Sequence, residues 1–190
     1  VPERVPITTV VLNSFSQTQN GGGFFDDRFF FEASISWEDP AEEANFYMVE
    51  AFAESESLSI QYDGEGNETS RDTIRSFRRL YLDANDPIVA ETTSFVRNNT
   101  EGNELVLSDA TFNGSTKTLR VYDDSFGRVT RLTFVLRNLS ESYWRYYLTY
   151  DQQFLAEDNP LAQPVQVFSN VSNGYGLFAT FTADSLGLTP

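Results

Sequence analysis

The chain has 190 residues, with 28 acidic against 13 basic side chains for a net charge of −15, and it contains no Cys and no His. Thiolate chemistry, disulfides, zinc ribbons and His-dependent triads are thereby excluded, and any enzyme here would have to work through carboxylates, Lys, Tyr or Thr. So acidic a surface repels phosphate backbones, no nucleic-acid partner is expected, and no run approaches the ~20 apolar residues of a membrane-spanning helix.

The 17 Phe and 9 Tyr tilt the chain toward strands. Val1 to Pro6 reads as a linker remnant ahead of a single β domain spanning 7–190. Ile7 to Phe15 is a first strand, and Gln19 to Gly23 is a Gly-rich turn. From Arg28 to Trp37 apolar and polar residues alternate, with Phe29, Phe31, Ala33, Ile35 and Trp37 on one face, as a half-buried strand requires. The two are expected to pair as a long hairpin. Glu38 to Glu43 forms a turn, and Asn45 to Ala53 resumes the alternation as a second hairpin.

Glu54 to Asn99 is less regular, with short strands at Leu58 to Tyr62, Phe77 to Leu82 and Ile88 to Thr93 around the polar tip Asp63 to Glu68. Glu104 to Leu107, Thr116 to Tyr122 and Val129 to Arg137 then read as meander strands, the last two joined by a turn at Asp123 to Gly127. The period changes at Tyr143, Tyr146, Tyr147, Tyr150 and Phe154, whose spacings of three and four predict a helix capped by Ser140 or Ser142 and ending near Glu157. Strands follow at Val165 to Ser169 and Tyr175 to Thr182, joined through Asn173-Gly174. The predicted fold is all-β, an antiparallel β-sandwich or partly closed β-barrel with one short aromatic-rich helix.

Several landmarks stand along the chain in this order: Asp39-Pro40 before Asn45 and Tyr47, Ser108-Asp109 with Asn113-Gly114, Tyr146-Tyr147, and the ending Asn170, Asn173, Gly174, Gly176. In that order they resemble the C-terminal domain of a Bacteroidota outer-membrane lipoprotein family of unknown function, often encoded beside TonB-dependent receptors. The resemblance implies a lipid-anchored protein at the outer membrane, on its periplasmic or cell-surface side, with the anchoring Cys and an N-terminal β domain absent from this chain. It further implies a non-enzymatic accessory subunit of a TonB-dependent transporter, aiding substrate capture or gating. A stand-alone glycan- or peptide-binding surface module is the alternative.

Four residues are candidates for partner contact: Phe24 and Phe25 beside the glycine turn, and Asn173 and Tyr175 in the last turn. Asp72-Thr73-Ile74 and Asp184-Ser185-Leu186 match the acceptor pattern of Bacteroidota O-glycosylation, which makes Thr73 and Ser185 modification candidates. Asp63, Glu65 and Asn67 alternate like calcium ligands, but Glu68 stands where the loop needs Gly and Ile74 where it needs Glu. They serve at most an irregular cation site; no metal and no cofactor is expected. Trp37, Trp144 and the helix tyrosines read as core before they read as a sugar platform.

Overall fold

The computed structural model describes residues 1–18, 28–84, 86, 104–157 and 163–190. In chain order the elements are β1 (Ile7–Thr18), β2 (Arg28–Glu38), β3 (Phe46–Tyr62), β4 (Glu68–Arg79), β5 (Asp83–Ala84), β6 (Leu105–Ser108), β7 (Thr116–Phe126), β8 (Val129–Leu139), helix α1 (Glu141–Glu157) and β9 (Phe181–Leu188). They form two antiparallel sheets, ordered β1-β2-β7-β5 and β4-β3-β8-β9, with β6 lying beside the start of β3. The sheets face each other as a sandwich, and among the described residues no ladder closes them into a barrel.

Alternation along each strand supplies the two inner faces. Phe29, Phe31, Ala33, Ile35 and Trp37 of β2 and Leu119 and Val121 of β7 meet Val49, Ala51 and Ala53 of β3 and Leu132, Phe134 and Leu136 of β8, all buried. Phe31 meets Phe134 edge-on across the interface, ring centroids 5.8 Å apart. Each such aromatic contributes about 2–3 kcal/mol through the surface it removes from water. Position-by-position pairing follows the same logic, since slipping β2 by one residue would turn all five of its core side chains to solvent.

The outer face of the second sheet holds a smaller cluster under α1: Met48, Val106 and Leu139 from the strands, Trp144 and Tyr147 from the helix. Trp144 stacks on Phe46 at 5.2 Å. The helix therefore buries a face centred on Trp144 and Tyr147, while Tyr150 is 37% exposed. Ser140 precedes it, and its carbonyl accepts from the amides of Tyr143 and Trp144. The Ser140 hydroxyl turns instead to the Thr180 amide, 3.2 Å away, so the residue expected to cap the helix also ties it to the approach of β9.

The expected first hairpin forms as β1 and β2, but other expected pairings do not. β2 and β3 belong to different sheets, so Asp39 to Asn45 is a crossover between layers and no second hairpin exists there. β7 and β8 are likewise split between the sheets, and no meander joins them. β7 runs on to Phe126, and the chain crosses at Gly127, whose φ of +108° suits glycine. Val165 to Ser169 and Tyr175 to Thr182 are not strands apart from the last two residues; the terminal strand is Phe181–Leu188, paired along β8. Ile88 to Thr93 lies outside the described residues.

β3 and β4 form one long hairpin where short strands were expected. Past Glu56, the residues of β3 pair with β4 and with no other described strand, and both Tyr62 and Ile74 are more than half exposed. At the other end of the chain, Val5 is buried in the core, Arg4 pairs with Asp184, and the Ile7 amide donates to the same carboxylate at 2.8 Å. The first residues are thus fastened to β9.

Candidate functional site

One end of the sandwich gathers most of the sequence landmarks. The layer crossover after β2 begins with Asp39, 6% exposed, whose Oδ1 accepts from the Tyr47 hydroxyl at 2.5 Å and whose Oδ2 accepts from the Gly114 amide at 2.8 Å. The crossover ends with Asn45, whose amide donates to Asp109 Oδ2 at 2.7 Å while its side chain reaches back to the carbonyls of Pro40 and Glu43. Asn138 of β8 completes the box, its Nδ2 donating to Asn45 Oδ1 and to the Glu3 carbonyl, each at 3.0 Å.

Aromatic rings seal this box from below. Tyr47 lies against Trp37 at 5.3 Å and Phe112 at 6.1 Å, and the Lys117 ammonium sits over Phe112 while pairing with Asp86. Burial, reinforced by Asp39, pushes the Tyr47 hydroxyl far above its ordinary range and keeps it a donor. Burial also raises the carboxyl of Asp109. Gly114 has a φ of +72°, and a Cβ there would lie 2.7 Å from Ala41 Cβ. Ser108 pairs with Phe46 at the rim, and Asn113 is exposed in the turn. With its carboxylates occupied by internal donors, this box locks the two layers together and holds no free acid or base.

The second group of landmarks forms a loop after the helix. Ser169 Oγ accepts from the Gly176 amide at 3.1 Å, and Asn170 clasps Phe178 with both ends of its side chain, each bond 2.7 Å. The chain between is closed upon itself by its own side chains, the property of a compact surface loop. Asn173 takes the left-handed conformation at φ 61°, so the strained position belongs to Asn173 and neither Gly174 nor Gly176. Gly176 is needed for closeness: a Cβ there would approach Val171 Cγ2 to 3.3 Å. Displayed on this rigid loop are Tyr175, 97% exposed, and Phe178, 81% exposed, with Val171 and Phe181 nearby in the chain and each 44% exposed. Two aromatics held in water by a pre-ordered backbone are what a binding surface presents, because ordering is complete before a partner arrives.

A family model described as a domain of unknown function, DUF4249, matches residues 1–186. The chain belongs to the DUF4249 family. Comparison with curated proteins and with solved structures returns no match. The DUF4249 match covers both the layer-locking box and the exposed loop.

The remaining sequence candidates in this DUF4249 chain fall apart spatially. Asp63 spends its oxygens on its own turn, Oδ1 accepting from the amides of Glu65 and Asn67 and Oδ2 from Asn67 Nδ2. Those bonds from Asn67 hold its carboxyl below the usual range. Among the described residues no three His, Cys, Asp or Glu side chains converge to hold a metal ion. Thr73 and Ser185 are exposed, on β4 and β9. Phe24 and Phe25 lie outside the described residues. Trp37 is fully buried and Trp144 is 9% exposed, so neither offers a stacking face.

Glu50 escaped sequence reading, and Asp123, expected in a turn at the rim, lies instead inside the strand β7 and is buried. Glu50, buried on the outer face of β3, receives Arg79 at 2.9 Å and Arg137 at 2.5 Å, and Arg79 also holds Glu104 at 2.8 Å. The signal was a lone Glu in the otherwise apolar run from Phe46 to Ala53. Asp123, 4% exposed, points between the sheets at the opposite end from the box, and burial raises its carboxyl to about 7 despite the nearby Arg78 charge.

Proposed function

We propose that this protein is a non-enzymatic accessory subunit of a TonB-dependent transporter, lipid-anchored at the outer membrane in its full-length form, and that it docks on the transporter through the loop Ser169 to Phe178. The observation that carries the reading is the self-bonded loop holding Tyr175 and Phe178 in solvent. Membership in the family supports the compartment and the class of partner, through the resemblance of the ordered landmarks to outer-membrane lipoproteins encoded beside such receptors. The composition supports a binding role as well, since a chain without His or Cys lacks the commonest general base and the commonest thiol nucleophile.

Affinity purification of a tagged full-length protein from its native membranes in mild detergent tests the proposal. A TonB-dependent β-barrel is expected to co-purify, and the Tyr175→Ala/Phe178→Ala variant is expected to lose it while remaining folded. Recovery of the protein without any such barrel, or an unchanged yield with the double variant, overturns it.

A further inference from the structure

The two sheets end on β1 and β5 and on β4 and β9. Three of these edges carry a device that discourages pairing with another chain. In β1 the ladder to β2 skips Thr8 and Asn13, so the strand bulges twice. β5 is two residues long. Along β9 the first residues of the chain are fastened, through Arg4 and the Ile7 amide to Asp184 and through the Thr182 hydroxyl to the Glu3 carbonyl.

β4 is different. It pairs with β3 in unbroken register from Ser70 to Arg79, contains no Pro, and on its other side meets no strand among the described residues. Arg71 to Arg75 are all exposed. Past Glu56 the hairpin is two-stranded, with Tyr62 and Ile74 more than half exposed, and a two-stranded ribbon is marginal until a further strand joins it. Charged side chains remain as the one deterrent on this edge, and they deter only where like meets like.

A closed dimer of identical chains needs a two-fold axis, which sets two β4 strands antiparallel with each residue opposite one of the same face. The charges then choose the register. An axis through Arg71, Asp72 or Arg75 sets that residue against its own copy, one through Thr73 opposes Arg71 to Arg75, and one through Phe77 opposes Arg75 to Arg79. An axis through Ser76 avoids like charges but engages only 73–79. An axis through Ile74 avoids them too and engages 70–78. It brings Ile74, 52% exposed, against its copy, and Arg71 against Phe77 of the partner subunit, a ring 63% exposed here. Symmetry makes that cation–ring contact twice.

We infer that the chain forms a symmetric dimer through β4, the two copies pairing edge to edge about an axis at Ile74 so that their second sheets become one. The occupant of this edge is a second copy because β4 is complementary to itself in the register that engages most of its length. β4 and β9 are opposite edges of their sheet, and the Tyr175 loop leads into β9, so the inference is independent of the docking proposed above.

Sedimentation velocity at a chain concentration of about 100 μM, well above the micromolar Kd of a standard-size interface, is expected to show twice the 21.5 kDa of the chain. Ile74→Arg and Ile74→Glu alter an exposed side chain and are each expected to be monomeric with unchanged circular dichroism, while their equal mixture regains the dimer. Because the chain has no Cys, single cysteines read the register directly. Opposed Cα atoms stand about 4.5–5.5 Å apart, within disulfide reach, whereas those beyond about 7 Å cannot be bridged. Under mild oxidation Ile74→Cys is expected to cross-link, Asp72→Cys and Ser76→Cys to fail singly, and a mixture of those two to succeed. A monomeric wild type, a charge variant that dimerises alone, a charge-variant mixture that stays monomeric, or cross-linking at 72 or 76 alone as fast as at 74 would each overturn the inference.

Discussion

Replacing Tyr47 with Phe removes one oxygen from the centre of the layer lock and leaves the ring packing intact. The lost contact is a buried hydrogen bond to a carboxylate, and Asp39 Oδ1 is left with no other donor among the described residues while Oδ2 keeps the Gly114 amide. Bonds to charged acceptors contribute about 1.5–3 kcal/mol, and stranding the acceptor places this case at the upper end. For a chain of this length, ~2–3 kcal/mol corresponds to a fall in Tm of roughly 4–12 °C. Equilibrium unfolding in urea, read by the fluorescence of Trp37 beside Tyr47, measures the loss directly. Asp39→Asn in the same background forms a double-mutant cycle, and the pair is expected to cost less than the sum of its parts. A pH arm adds a sign: the hydroxyl ionises more readily unfolded than folded, so the wild type loses stability above about pH 10 and the Phe variant lacks that slope. A Tyr47→Phe protein within about 0.5 kcal/mol of wild type at neutral pH would refute the claim that this bond holds the layers together.

Gly114→Ala combines a left-handed backbone with a collision against Ala41, and a loss of about 2–4 kcal/mol is expected in the same unfolding assay. Ala41→Gly should recover the steric part and leave the backbone part. Asp123 predicts a pH dependence of the opposite kind from a salt-bridged carboxylate: its folded value of about 7 exceeds the unfolded one, so its contribution is complete in acid and is lost as pH rises from about 4 to 7, on the order of 4 kcal/mol. Calorimetry across that range should show Asp123→Asn lacking this component. Asn170→Ala breaks both clasps on Phe178, and hydrogen exchange is expected to quicken at the Gly176 and Phe178 amides while global stability changes by less than about 1 kcal/mol.

How far the sequence spoke depended on whether a residue's partners lay near it in the chain. β2 was readable because five alternating apolar residues face a single core. The stripe on α1 announced a helix, although the buried face proved to centre on Trp144 and Tyr147. The far half of the β3–β4 hairpin showed no clean period because neither of its faces is buried, and hydrophobic alternation exists only where one face must be hidden. Val165 to Ser169 failed in the opposite way, having the alternation of a strand without any neighbour to pair with among the described residues. Asp39, Asn45 and Asp109 were recognisable as turn residues, but their shared task depends on contacts tens of residues apart, 64 for Asn45 with Asp109 and 75 for Asp39 with Gly114. No local pattern encodes that.

β3 begins beside the layer-locking box and ends at the exposed turn beyond Tyr62. At ~3.3 Å per residue its two ends stand on the order of 50 Å apart, so a single strand serves as a ruler across the protein. The turn at Gly64 to Gly66, with open space around both glycines, is thus a place to graft a fluorophore or an affinity handle. A label there would sit far from the box and report, by energy transfer, how the chain is oriented on whatever it meets.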